Sequence, residues 1–154
     1  MNCLQYFYRL LSRREYSASE LKKKGNEHGY SESEITEAIN DLQLKDYQSD
    51  TRLVANLIAS SQGKYGKSVL KRKCMEKGIP ADVFEEVWLS QDESDEIDGL
   101  ADLKAKVMRK YKIEDFQSID QKTKAKLLNY LQYRGFNGFA VMNQWRMQQE
   151  EEEE

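Results

Sequence analysis

Apolar residues recur along this chain at the three- and four-residue spacing of helix faces, and the faces themselves repeat. Leu21, Leu70 and Leu127 each stand eight positions before a glycine, Gly29, Gly78 and Gly135. Each glycine is followed by Tyr30, Ile79 or Phe136. Six and ten positions past it come Ile35 and Ile39, Phe84 and Trp88, or Val141 and Trp145. A repeat of about fifty residues with no alternating strand pattern predicts stacked helical units that bury their faces only against neighbours. The expected fold is an all-α, elongated array.

Within the first repeat, 1–48, Leu4, Phe7 and Leu11 share one side of a helix. Ser17-x-x-Glu20 and Ser31-x-x-Glu34 are capping boxes that predict the starts of the next two helices. The second of these carries Ile35, Ala38, Ile39 and Leu42 inward. Gly25 weakens the middle helix by about 1 kcal/mol relative to alanine, and a polar stretch, Lys45 to Asp50, closes the unit. In the second repeat, 49–91, one helix face is Leu53, Val54, Leu57 and Ile58. The turn Gly63-Lys64-Tyr65-Gly66 follows, and the next helix turns Val69, Leu70 and Cys74 inward. Gly78 fits a left-handed helix C-cap and Pro80 the first turn of the helix bearing Val83, Phe84, Val87 and Trp88.

The third repeat, 92–148, opens with the acidic segment Gln91 to Asp98, which reads as a linker or a solvated first turn. Leu100, Leu103, Val107 and Tyr111 share a face beyond it, and a polar connection spans Glu114 to Asp120. Leu127, Leu128 and Leu131 fill the next helix, which Gly135 ends; Phe136 reads as core. Val141, Met142 and Trp145 complete the last helix. The glutamate-rich tail, 149–154, is expected to be disordered.

Composition narrows the function classes. The net charge of −3 averages unlike regions: Glu150 to Glu154 hold five of the 27 acidic residues, leaving 24 basic against 22. Basic residues cluster at Lys64, Lys67, Lys71, Arg72, Lys73 and Lys77, and again at Lys104, Lys106, Arg109, Lys110 and Lys112. Such clusters either make local positive fields that hold a polyanion or are simply solvated helix faces. No apolar stretch approaches a membrane span, and the N-terminus has no signal-peptide pattern. Cys3 and Cys74 have no metal-type spacing and read as free thiols of a cytoplasmic protein.

Four segments together resemble the bacterial RecX regulators of the RecA recombinase. They are Leu11-Ser12-Arg13-Arg14-Glu15-Tyr16-Ser17 with Glu20-Leu21; Arg52-Leu53-Val54-Ala55 with Ile58-Ala59-Ser60; Gly63-Lys64-Tyr65-Gly66 leading to Lys77-Gly78-Ile79; and Lys124 to Phe136, ending Tyr133-Arg134-Gly135-Phe136. The similarity runs from about residue 8 to residue 145. It implies a curved array of tandem three-helix repeats. Such a protein lodges in the groove of the RecA filament on single-stranded DNA and lowers filament extension, ATP hydrolysis, strand exchange and co-protease activity, so modulating DNA repair and the SOS response. Gly25 and the acidic segments depart from the family's pattern, which weighs against direct DNA affinity more than against RecA binding. A monomer with no cofactor is expected. The alternative is a helical single-stranded nucleic-acid-binding protein that acts indirectly, by competing for DNA.

Candidate partner contacts are Arg52, Lys64, Tyr65, Lys67, Lys71, Arg72 and Arg134. Lys64 and Tyr65, held between glycines, can present a charge and an aromatic face to a base or a protein groove; the same turn can instead cover a helix junction. Arg52, Lys67, Lys71 and Arg72 can meet phosphate or carboxylate, or serve as solubility charges. Arg134 either contacts the partner or neutralises helix-end carbonyls. The single histidine, His28, precedes a helix-ending glycine and suits a C-cap rather than catalysis. Gly63-Lys64-Tyr65-Gly66-Lys67-Ser68 has the wrong glycine spacing for a nucleotide-phosphate loop, and the acidic residues follow no metal-loop pattern. The chain does not read as an enzyme.

Overall fold

The computed structural model describes residues 1–91 and 93–153, the side chains of 93–99 and 153 excepted. Among these are nine α-helices in three triplets: α1 Cys3–Leu11, α2 Ala18–Glu27, α3 Glu32–Leu44; α4 Asp50–Ser60, α5 Lys67–Glu76, α6 Ala81–Ser90; α7 Glu93–Tyr111, α8 Gln121–Tyr133, α9 Gly138–Glu153. The fold is an all-α repeat. Both predicted capping boxes form, with Ser17 Oγ accepting the Glu20 N–H and Ser31 Oγ the Glu34 N–H. Asn2 and Gln5 make a third at the start of α1.

The glycine anchors of the repeat mark one recurring closure. After α2, α5 and α8, Gly29, Gly78 and Gly135 take φ of 85, 76 and 90°. The following N–H groups, of Tyr30, Ile79 and Phe136, then reach back to the carbonyls of Gly25, Cys74 and Leu131 at 3.1, 3.1 and 2.9 Å. This left-handed cap satisfies carbonyls that a helix end otherwise leaves open, and it favours an apolar residue just past the glycine.

By compactness the chain divides into two units: Met1–Ala59 with Lys71–Ser90, and Ser60–Leu70 with Gln91–Glu154. The division falls inside α5. In the first unit α3 packs on α1 and α2 around Cys3, Phe7, Leu10, Tyr16, Leu21, Ile35, Ala38, Ile39 and Leu42. Leu10, rather than Leu11, is buried there; Leu11 only flanks the cluster. Gly25 sits in this core. A Cβ on it would lie 2.7 Å from Ile35 Cγ1 and 3.2 Å from Phe7 Cζ. Its cost in helix propensity is therefore the condition for α2 to approach α1 and α3 closely.

The second unit packs α8 against α7 and α9. Its core holds Leu103, Val107, Leu127, Leu131, Val141, Met142 and Trp145, together with Ile113 and Phe116 from the α7–α8 connection. Phe136 is half-buried against this cluster. Trp88 of α6, also half-buried, stacks on Phe84 with ring centroids 5.9 Å apart.

Of the two readings of the acidic segment, the backbone from Glu93 onward matches a first helical turn, that of α7, while Asp92 lies outside the described residues. The tail does not fray at residue 149, because α9 continues to Glu153. Gln149 accepts the Phe116 N–H at 3.0 Å and donates to Asp115, and Glu150 accepts from Gln117 at 3.2 Å. The helix end braces the α7–α8 connection.

Candidate partner interface

Lys64, Tyr65, Lys67 and Arg134 come together in the second unit because two glycine motifs interlock. The Gly66 N–H donates to the Arg134 carbonyl at 2.7 Å. The Arg134 guanidinium donates to the Lys64 carbonyl at 3.1 Å, and Ser68 Oγ to the Gly135 carbonyl at 3.1 Å. The backbones approach so closely that a Cβ at Gly66 would stand 2.6 Å from Phe136 N. Arg134 also lies over the Tyr130 ring at 4.8 Å, which takes Lys110 at 4.4 Å as well. These cation–π contacts fix the guanidinium in place. The clasp leaves Lys64 and Lys67 exposed and Tyr65 half-buried.

The other three candidates belong to the first unit. Arg52 Nε pairs with Glu15 at 2.6 Å, and its two terminal nitrogens donate to the Asp46 and Tyr47 carbonyls at 2.9 and 3.2 Å. Asp46 occupies the left-handed region, at φ 62°, so Arg52 holds the α3–α4 turn in a conformation that costs a non-glycine residue energy. Lys71 of α5 pairs with Glu85 of α6 at 2.8 Å. Arg72 is exposed and, among the described residues, makes only a long contact, 3.9 Å, with Glu76 one turn on.

The sequence reading thus placed seven residues in one functional class, and the structure gives them different work. Arg52, Lys71 and Arg134 are engaged within their own unit. Lys64, Lys67 and Arg72 are exposed at the surface, Arg72 with its long contact to Glu76. Sequence reasoning also missed the polar hub beside Arg52. There Gln48, 2% exposed, donates to the Tyr16 carbonyl at 3.1 Å and to Asp50 at 2.9 Å, and Asp50 accepts the Ala18 N–H at 3.0 Å. Gln48 lies in the stretch Lys45 to Asp50, which read only as a polar closure of the first repeat.

Titratable groups behave as scaffolding. Burial alone would raise the Glu20 carboxyl, but the Ser17 N–H, Arg14 and Lys77 outweigh it and bring it below its usual value. Burial pushes both thiols, Cys3 and Cys74, above the ordinary cysteine range. That is the reverse of an activated nucleophile. His28 caps α2 and stacks on Tyr6, with ring centroids 4.1 Å apart. Among the described residues no group of His, Cys, Asp or Glu could hold a metal ion, and no helix is long and apolar enough to cross a membrane.

Residues 3–42 match the family model for the first three-helix domain of RecX. Over 135 residues the chain is 36% identical to the regulatory protein RecX of Acinetobacter baylyi, covering 88% of this chain and 80% of that protein. It is 35% identical over 133 residues to the RecX of Haemophilus influenzae strain PittEE, covering 85% and 84%. With RecX of Legionella pneumophila strain Corby it shares 36% over 131 residues, covering 84% and 83%. Among solved structures, RecX from Lactobacillus salivarius superposes with a TM-score of 0.77 at 18% identity, over 96% of this chain and 93% of that one. This likeness concerns the fold.

Proposed function

Because this chain belongs to the RecX family of regulatory proteins, we propose that it binds a RecA recombinase and its filament on single-stranded DNA. Bound there, it limits filament extension and with it ATP hydrolysis, strand exchange and co-protease activity. The observation behind this reading is the 36% identity to a RecX regulator over 88% of the chain. The action needs no chemistry of its own: contacts spread over several helical modules hold one filament state or block an incoming protomer, and so shift the assembly equilibrium. Lys64, Lys67 and Arg72, with the half-buried Tyr65 beside Lys64, are the proposed contacts. Arg52, Lys71 and Arg134 support them by fixing turns and helices within their own units.

The test is single-stranded-DNA-dependent ATP hydrolysis by the cognate RecA, with this protein added well below one molecule per RecA monomer and DNA in excess. Inhibition is expected under these conditions, where too little protein is present to mask the DNA. If inhibition instead appears only when the DNA is saturated, and binding to DNA weakens with salt at a slope of about −0.7 per phosphate neutralised, the protein acts by competing for DNA.

A further inference from the structure

Phe139 stands at the start of α9 and is 64% exposed. It lines a cleft of about 410 Å³ formed by α8 and α9, with Ala140 and Met142 as apolar wall, Asn143 beside them, and two cations, Lys124 of α8 and Arg146 of α9. Met142 is 4% exposed, so the wall is continuous with the core of the unit. Neither Lys124 nor Arg146 has an ion-pair partner among the described residues. Lys122 and Lys126 add positive charge along the same helix.

An exposed aromatic residue at the edge of an apolar concavity offers a seat for a partner's apolar side chain. Unpaired cations beside it select for a partner of opposite sign. We propose that this cleft is a docking site for an acidic peptide segment of a partner protein, one whose large apolar or aromatic side chain enters the concavity while its flanking carboxylates meet Lys124 and Arg146. A single nucleic-acid strand fits less well. It stacks bases on open aromatic faces along a basic groove, whereas the wall here is the methyl group of Ala140 and the thioether chain of Met142. The inference goes beyond the recombinase reading, since none of the contacts assigned above takes part in it, and either can fail without the other.

The experiment is a backbone-amide NMR titration of the full chain with the blocked hexapeptide Glu-Glu-Leu-Phe-Glu-Glu. Saturable shifts confined to residues 138–146 and the neighbourhood of Lys124 are expected. Affinity should fall at least ~10-fold for the doubly reversed variant Lys124→Glu/Arg146→Glu, and likewise when glycine and serine replace the two apolar residues of the peptide. The hexapeptide with lysine in place of glutamate should bind the reversed variant better than it binds the native protein. The proposal is overturned if native protein takes the lysine peptide equally well, if the shifts are scattered or absent, or if oligothymidylate produces the same shifts at lower concentration. Shifts that track protein concentration alone would assign the cleft to self-association and overturn it too. Circular dichroism of both proteins separates lost binding from lost fold.

Discussion

Gly66 and Arg134 are joined in both directions: the Gly66 N–H donates to the Arg134 carbonyl at 2.7 Å, and the Arg134 guanidinium returns to the carbonyl of Lys64, two residues before Gly66, at 3.1 Å. The space where a side chain on residue 66 would stand is occupied by the Gly135–Phe136 backbone, which has no rotamer to yield. Gly66→Ala is therefore expected to cost about 3 kcal/mol by urea denaturation, near the upper end of overpacking effects. Gly29→Ala offers the control. That residue has φ of 85° but nothing within 4 Å of its Cβ position, so only the backbone cost of about 1 kcal/mol applies. Equal losses at the two positions would show that close approach at Gly66 is not what matters.

The seven candidate contacts should separate into two groups under mutation. Arg52→Ala breaks the pair with Glu15 and frees two turn carbonyls. It should lower stability by about 1–2 kcal/mol and change any RecA effect only through folding. Lys64→Ala and Arg72→Ala remove exposed charge and should leave stability within about 0.5 kcal/mol, while weakening inhibition of the RecA ATPase severalfold when combined. Thermal melts and ATPase titrations on the same samples check both. Undiminished inhibition by the double variant would remove these residues from the interface.

Acid should loosen the protein in a defined direction. The Asp115 carboxyl is held below its usual value by the Gln117 N–H and the Gln149 side chain, and Asp120 by the hydroxyl and N–H of Thr123 at the start of α8; Glu20 is lowered as described above. Folded carboxyls below their unfolded values mean that the unfolded chain binds more protons in the acid range. Their contribution is thus fully present above the unfolded values of about 4 and disappears as pH falls through the depressed folded values. The melting temperature should be flat from about pH 6 to 8 and decline below about pH 4.5. Asp120→Asn keeps a good helix cap but cannot titrate, so it should shrink the acid decline and spare neutral stability. An unchanged decline in the Glu20→Gln/Asp115→Asn/Asp120→Asn variant would refute this assignment.

Much of the architecture was legible because it rests on local signals. Capping boxes at Ser17 and Ser31, the left-handed glycines and the apolar stripe of α3 depend on residues within one or two turns of each other. What escaped depends on neighbours distant in sequence. Ile113 and Phe116 flank and interrupt a polar connection, yet both are core residues, because α9 supplies Gln149 to hold that loop in place. Gly25 reads as a weakness in the sequence, although Ile35 and Phe7 occupy the room its side chain would need. Arg52 read as a phosphate or carboxylate contact or a solubility charge, and Arg134 as a partner contact or a neutraliser of its own helix end, because the distant carbonyls that each one meets leave no mark in an amino-acid sequence. The glutamate run was read by composition alone, and a helix already under way can extend through residues too polar to start one.

The Ser17 hydroxyl oxygen accepts the Glu20 N–H at the start of α2 while its proton goes to the Lys77 carbonyl at the end of α5, sixty residues away in the chain. One atom thus couples the beginning of one helix to the ending of another, and a change that seems local to either can be compensated at the other. A substitution at position 17 therefore strips a partner from two helix ends at once, so that damage written in the first turn of α2 is felt equally where α5 stops.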